Sequence, residues 1–197
     1  MKEIGLFFGS FNPIHIGHLI IANYVVENGG VDEVWMVVSP QNPFKKQASL
    51  LDEYQRLHLV NLAIEDHEKL RATDIEFKLE KPSYTGVTLA YLQEKYPDYK
   101  FNLIMGEDNL QSLHKWRSVE SWIRGRKVLV YPRINGEETV VDSSIKDICD
   151  IVRLDAPLLK ISASYIRDQF AKGKRPRYIV PDSCLEYIEE MNFYGSK

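Results

Sequence analysis

Short apolar runs that do not alternate in polarity recur along this chain, and between them apolar residues return at helical spacing. Ile4 to Phe8 is such a run, closed by Gly9-Ser10, and Val34 to Val38 is another, ended by Ser39-Pro40. Phe101 to Met105 and Lys127 to Tyr131 have the same character. A strand apolar on both faces needs cover on both sides, which is the condition of a parallel sheet. Thr73 to Phe77 and Ile151 to Leu154 read as further strands. Helical spacing runs over Gly17 to Glu27 (stopped by Asn28-Gly29-Gly30), Asp52 to Ile64, Thr85 to Lys95, Ser118 to Arg124, Ser162 to Ala171 and Ser183 to Met191. Residues 133–150 carry little pattern. The alternation predicts an α/β, Rossmann-like, doubly wound and mostly parallel sheet with helices on both faces. No repeat or linker interrupts it, so residues 1–197 read as one domain, long enough to bury a core without staples.

Ligands of such sheets bind beyond the carboxyl ends of the strands. That rule selects the loops after Phe8, Val38 and Met105, which are expected to share one cleft. The formal net charge of −3 excludes the basic footprint of a nucleic-acid binder. No apolar run approaches the roughly 20 residues that span a bilayer. Cys149 and Cys184 have neither C-x-x-C nor metal-ligand spacing and are expected to be two buried free thiols. The MKEIGLFFGS start has too short an apolar part for a secretory signal. These features favour a cytoplasmic protein.

The first loop reads Gly9-Ser10-Phe11-Asn12-Pro13-Ile14-His15-Ile16-Gly17-His18. Gly9 permits a sharp turn, and Gly17 opens a helix whose free N–H groups and dipole favour an anion. His15 and His18, three apart, either face one pocket as donors to phosphate charge or are helix-start histidines satisfied by backbone. A second cluster, Ile161-Ser162-Ala163-Ser164-Tyr165-Ile166-Arg167, places hydroxyls and a guanidinium at another helix start, with Ser162 as N-cap. Its plain alternative is an ordinary capped helix with a surface arginine. Trp116 offers a flat surface on which a pyridine could stack, or is a core tryptophan. Asp108 is a ribose hydroxyl acceptor or a helix cap. Lys45 and Lys46 suit a polyphosphate, or are solvated loop lysines.

Together the two clusters resemble the nucleotidyltransferase superfamily with H-x-G-H and I-S-x-T-x-I-R signatures. Within it the chain is most similar to the bacterial nicotinate-nucleotide adenylyltransferases of NAD biosynthesis, over nearly its whole length. Asn42-Pro43-Phe44-Lys45 stands where that family has a proline-histidine-lysine loop, so Phe44 replaces a common histidine. Pro82-Ser83-Tyr84-Thr85 with Thr88-Leu89 resembles its P-S-Y-T-x-x-T-L segment, and Gly106-Glu107-Asp108 with Leu113 and Trp116 its G-x-D…L…W block. Arg177-Tyr178-Ile179-Val180-Pro181 resembles the family's stretch before its last helix, and Arg133-Ile134-Asn135-Gly136 stands loosely where it has an R-P-G turn. Ser10, Asn12 and Ser164 replace a more usual threonine, aspartate and threonine, each keeping a side-chain oxygen.

The resemblance implies an adenylyltransferase that joins ATP and nicotinate mononucleotide. His15, His18, Lys45 and Arg167 would be catalytic. Gly9, Ser10, Phe11, Gly106, Asp108, Ser162, Ser164 and Ile166 would join His15, His18 and Arg167 around ATP. Asn12, Lys45, Tyr84, Thr85, Trp116, Arg117 and Arg133 would hold the pyridine nucleotide. Mg²⁺ would accompany ATP on phosphates and water, with no dedicated protein metal site. No nucleic acid or membrane partner is implied, and a homo-oligomer stays open. Pantetheine-phosphate adenylyltransferase shares both signatures but gives no reason for Trp116, and nicotinamide mononucleotide is the alternative acceptor. A class I aminoacyl-tRNA synthetase fragment shares His15-Ile16-Gly17-His18 but needs a K-M-S-K-S loop, absent here. A non-catalytic nucleotide-binding regulator would not require both histidines.

Overall fold

Six strands pair in the order β3-β2-β1-β4-β5-β6, every neighbouring pair parallel. They are β1 (Lys2–Gly9), β2 (Glu33–Val38), β3 (Leu70–Thr73), β4 (Tyr99–Gly106), β5 (Lys127–Tyr131) and β6 (Asp150–Arg153). The computed structural model describes residues 1–40, 50–132, 140–157 and 159–195. The α/β, Rossmann-like doubly wound architecture is as expected, with an all-parallel rather than mostly parallel sheet among the described strands. Winding runs outward from β1 to β3, returns to β4 and continues to β6. The loops after β1 and β4 therefore flank the point where strand order reverses, the position at which such sheets open a crevice.

Apolar residues on both sides of each central strand explain the two cores. Phe7, Val34, Met36, Val38, Ile104 and Leu129 face one side with α1 (Ile16–Asn28), α2 (Glu53–Ile64), α7 (Ala163–Ala171) and α8 (Asp182–Glu190). Ile4, Leu6, Trp35, Val37, Leu103 and Val128 face the other, against α3 (Thr85–Lys95), α5 (Val119–Ile123) and α6 (Ser143–Lys146). Alternate side chains of one strand thus feed opposite cores, as the pleat requires.

Three local expectations need correction. The strand expected at Thr73 to Phe77 is instead β3, which ends at Thr73, followed by a 3₁₀ turn over Ile75–Lys78. Pairing with β2 stops at Val37↔Thr73. The turn buries both Ile75 and Glu76, which an extended strand would send to opposite faces. The Gly106-Glu107-Asp108 block opens a short helix, α4 (Glu107–Ser112), with Gly106 at its N-cap. Cys184 is a buried free thiol, but Cys149 is only half-buried, and the two lie in different cores. Among the described residues no helix is long and apolar enough to cross a membrane.

Candidate active site

The loop after β1 is shaped by close packing around two glycines. The Phe11 ring folds back over Gly9, where an added Cβ would meet it at 2.7 Å. Phe11 has φ 44°, in the left-handed region, and its side chain is fully buried, so only its backbone can face a ligand. His15 caps α1 with extended backbone, and its ring lies against Gly17, where a Cβ would stand 3.1 Å from it. The His15 and His18 rings stack at 3.7 Å, and His18 meets the Phe11 ring edge-on at 5.1 Å.

The paired histidines are chemically distinct. The His15 N–H donates to Nδ1 of His18 at 3.2 Å. An accepting Nδ1 assigns the proton of a neutral His18 to Nε2, making that edge a donor. His15 is buried, and burial lowers its pKa from 6.5 to about 4, so its imidazole is neutral at pH 7. Its Nδ1 has no hydrogen-bond partner among the described residues.

The second cluster meets this loop directly. Ser162 caps α7, accepting the Tyr165 N–H at 3.2 Å, as expected. One turn on, Arg167 donates through Nη1 to the carbonyl of Asn12 at 2.8 Å and through Nη2 to Ser164 Oγ at 3.3 Å. Its planar fork thus spans two chain segments. Ser162 and Ser164 are exposed, whereas the Ile166 side chain is buried, leaving its backbone as the polar part. The Ile16 N–H donates to the carbonyl of Ile179, seating the Arg177–Pro181 segment beside the same helix start.

Two residues of this region were not singled out by sequence reasoning. Arg56, wholly buried on α2, donates Nε to Leu51 O, Nη1 to Ser10 O and Ser39 O, and Nη2 to Pro40 O, at 2.6–3.1 Å. It fastens the loops after β1 and β2 to each other, and the Ser39 N–H donates to Gly9 O beside it. Its signal was an arginine four residues before Val60, on the apolar face of α2. Tyr194 donates its hydroxyl to Asn12 Oδ1 at 2.7 Å, an oxygen that also accepts the Leu51 N–H at 3.2 Å. Nothing in the local sequence marks that contact.

Of the residues expected around a pyridine nucleotide, Tyr84, Thr85, Trp116 and Arg117 gather at the start of α3, whereas Asn12 lies in the loop after β1. The Arg117 guanidinium lies over the Tyr84 ring at 4.9 Å. Trp116 is half-buried, 6.4 Å from Trp122, and packs against the second core with one part still accessible. Trp122 covers Gly86 so closely that a Cβ there would stand 2.5 Å from its ring. Tyr84 caps α3 without a side-chain cap bond; the Val87 N–H donates to the Tyr84 carbonyl at 2.9 Å, and no capping side chain occupies the N–H of Thr85 at the helix start. Beneath them the buried Glu76 carboxylate accepts from Ser83 Oγ at 2.8 Å and Thr88 Oγ1 at 2.9 Å. The serine and second threonine of Pro82-Ser83-Tyr84-Thr85…Thr88 thereby fix the turn.

Gly106 lies against Tyr131, whose ring a Cβ would meet at 3.0 Å, and beside Asp108 Oδ1. Tyr131 in turn packs edge-on against Phe7 at 5.9 Å, joining the β4 end to β1. Glu107 is buried and paired with Arg153 at 3.1 Å. Lys45 and Lys46, with the rest of residues 41–49, and Arg133 lie outside the described residues. Among the described residues, no three His, Cys, Asp or Glu side chains gather as a metal cluster.

The sequence profile of the cytidylyltransferase-like family matches residues 6–169. A probable nicotinate-nucleotide adenylyltransferase of Flavobacterium psychrophilum is 52% identical over 192 residues, covering 98% of each chain. One of Bacteroides fragilis is 46% identical over 94% of this chain and 90% of its own. The fold is that of Plasmodium falciparum nicotinic acid mononucleotide adenylyltransferase complexed with NaAD, with TM-score 0.80 at 21% identity, covering 98% of each chain. With the family profile spanning residues 6–169 and relatives about half identical over nearly the whole length, this chain belongs to the cytidylyltransferase-like family and, within it, to the nicotinate-nucleotide adenylyltransferases.

Proposed function

We infer that the protein transfers the adenylyl group of ATP to nicotinate mononucleotide, forming nicotinate adenine dinucleotide and pyrophosphate. The observation that supports the site assignment is the Arg167–Asn12 hydrogen bond, which ties α7, whose start carries Ser162 and Ser164, to the loop that opens α1. A phosphate oxygen of the mononucleotide attacks the α-phosphorus of ATP. The bond from that phosphorus to the bridging oxygen breaks, and pyrophosphate leaves with the electron pair. The nucleophile is already ionised near neutral pH, so the protein's task is positioning and charge stabilisation.

In this reading the Nε2 donor of His18 and the guanidinium of Arg167 face the phosphates, with Lys45 adding charge. His15, neutral and stacked on His18, fixes that ring and its tautomer. Gly9, Ser10, Phe11 and Ile166 contribute backbone, Ser162 and Ser164 hydroxyls, and Gly106 and Asp108 meet the adenosine. Asn12, Tyr84, Thr85, Trp116, Arg117 and Arg133 surround the pyridine nucleotide. The first-turn N–H groups at Thr85 can receive a carboxylate. An amide there would set one donor against another, at a cost of about 1–3 kcal/mol. Mg²⁺ travels with ATP on phosphate and water oxygens, which requires no acidic cage. Residues 1–197 act as a single nucleotidyltransferase domain in the cytoplasm, without nucleic acid or membrane partners.

Steady-state kcat/KM for nicotinate and nicotinamide mononucleotides at saturating ATP tests this reading. A preference of about 5-fold or more for the acid is expected from one lost contact. Equal values would overturn the acid assignment. No dinucleotide from either would overturn the reaction.

A further inference from the structure

Asn12 is bonded by three distant parts of the chain. Arg167 donates to its carbonyl, and the Leu51 N–H and the Tyr194 hydroxyl both donate to its Oδ1. Tyr194 lies in the segment after α8, with left-handed backbone at φ 61°. Its ring packs against Phe170 at 6.2 Å and Phe193 at 6.4 Å, so ring and hydroxyl have separable roles. Burial raises the phenol's pKa, outweighing the nearby charges of Arg167 and Arg56 that lower it. The hydroxyl is therefore a protonated donor throughout the working pH range. The Leu51 N–H, which can only donate, requires the oxygen of the Asn12 amide on that side, and the Tyr194 hydroxyl donating to the same oxygen is a second hold on that orientation.

We propose that Tyr194 is a positioning residue for the adenylyl transfer, acting through Asn12: together with the Leu51 N–H its hydroxyl holds the Asn12 amide by its oxygen and steadies the loop that carries it between β1 and α1. The inference rests on the reading of Asn12 as part of the pyridine-nucleotide site. Loss of the hydroxyl should then weaken use of the mononucleotide more than use of ATP, although no atom of the ring is removed.

The test is a kinetic double-mutant cycle of Tyr194→Phe with Asn12→Ala, with both substrates varied. Wild-type turnover of ATP and nicotinate mononucleotide is the reference. In Tyr194→Phe, kcat/KM for the mononucleotide should fall about 10-fold, the scale of one lost hydrogen bond, with the KM for ATP changing less. The same substitution made in Asn12→Ala should have no further effect. An active wild type with an unaltered Tyr194→Phe, or equal losses in both backgrounds, overturns the positioning role alone. So does loss of a cooperative unfolding transition in Tyr194→Phe, which would make the hydroxyl a requirement of the fold. A wild type that forms no dinucleotide overturns the functional reading and this inference with it.

Discussion

Nη1 of Arg167 donates to the backbone carbonyl of Asn12 at 2.8 Å, across 155 residues of sequence. This bond joins α7, one turn past its start, to the loop after β1. It also holds the guanidinium plane while Nη2 reaches Ser164 Oγ. An ammonium group at the same place can donate as a point charge but cannot span both partners in one plane. Arg167→Lys should therefore lower kcat/KM for ATP by about 10-fold or more, on the scale of a charged hydrogen bond. An unchanged kcat/KM would place the arginine's role in the fold alone.

His18 has its Nδ1 engaged by the His15 N–H and its ring wedged between His15 and Phe11. The ring is therefore oriented before any substrate arrives. Removing a preorganised donor to developing charge typically costs about 10²-fold or more in kcat. His18→Ala should lose that much while keeping its fold by circular dichroism. Wild-type kcat in the folded variant would leave His18 only a structural part.

His15 makes stability depend on pH in a defined window. Burial lowers its pKa from 6.5 to about 4, so between those values the unfolded chain binds the proton more readily than the folded one. The stabilisation is complete above pH 6.5 and is lost progressively as pH falls towards 4, on the order of 3 kcal/mol in all. Thermal unfolding followed from pH 7 to 4 should show this decline, and His15→Gln should flatten it. A variant with the wild-type slope would assign the decline to other groups.

Arg56 satisfies four backbone carbonyls. Arg56→Met keeps much of the apolar stem but removes every donor to Leu51, Ser10, Ser39 and Pro40. Each buried acceptor left unpaired costs about 1–3 kcal/mol, less where water can enter. A loss of at least about 3 kcal/mol in urea unfolding is expected, with raised KM for ATP from the loosened Ser10 loop. A midpoint within error of wild type would mean that water replaces the guanidinium at no cost.

The sequence by itself determined the layered α/β fold, because each central strand is apolar on both faces and can be buried only between helices. It also determined the two helix starts, since Gly9, Gly17 and the Ser162 cap act within a few residues of themselves. Local rules failed where a residue's state depends on a distant partner. The 3₁₀ turn at Ile75–Lys78 exists because Glu76 is buried against Ser83 and Thr88, hydroxyls that lie beyond any strand or helix period from it. α4 went unread because six residues are too few to show a period. Arg56 was not singled out in the sequence, and only folding brought four carbonyls around it. The Arg167–Asn12–Tyr194 linkage joins three segments that meet only because β1 is central and α7 and α8 pack on the same sheet face. Hydrogen bonds are short-ranged and directional, so spacing along a chain cannot specify which distant donor will reach a given acceptor, and the tertiary packing alone decides it.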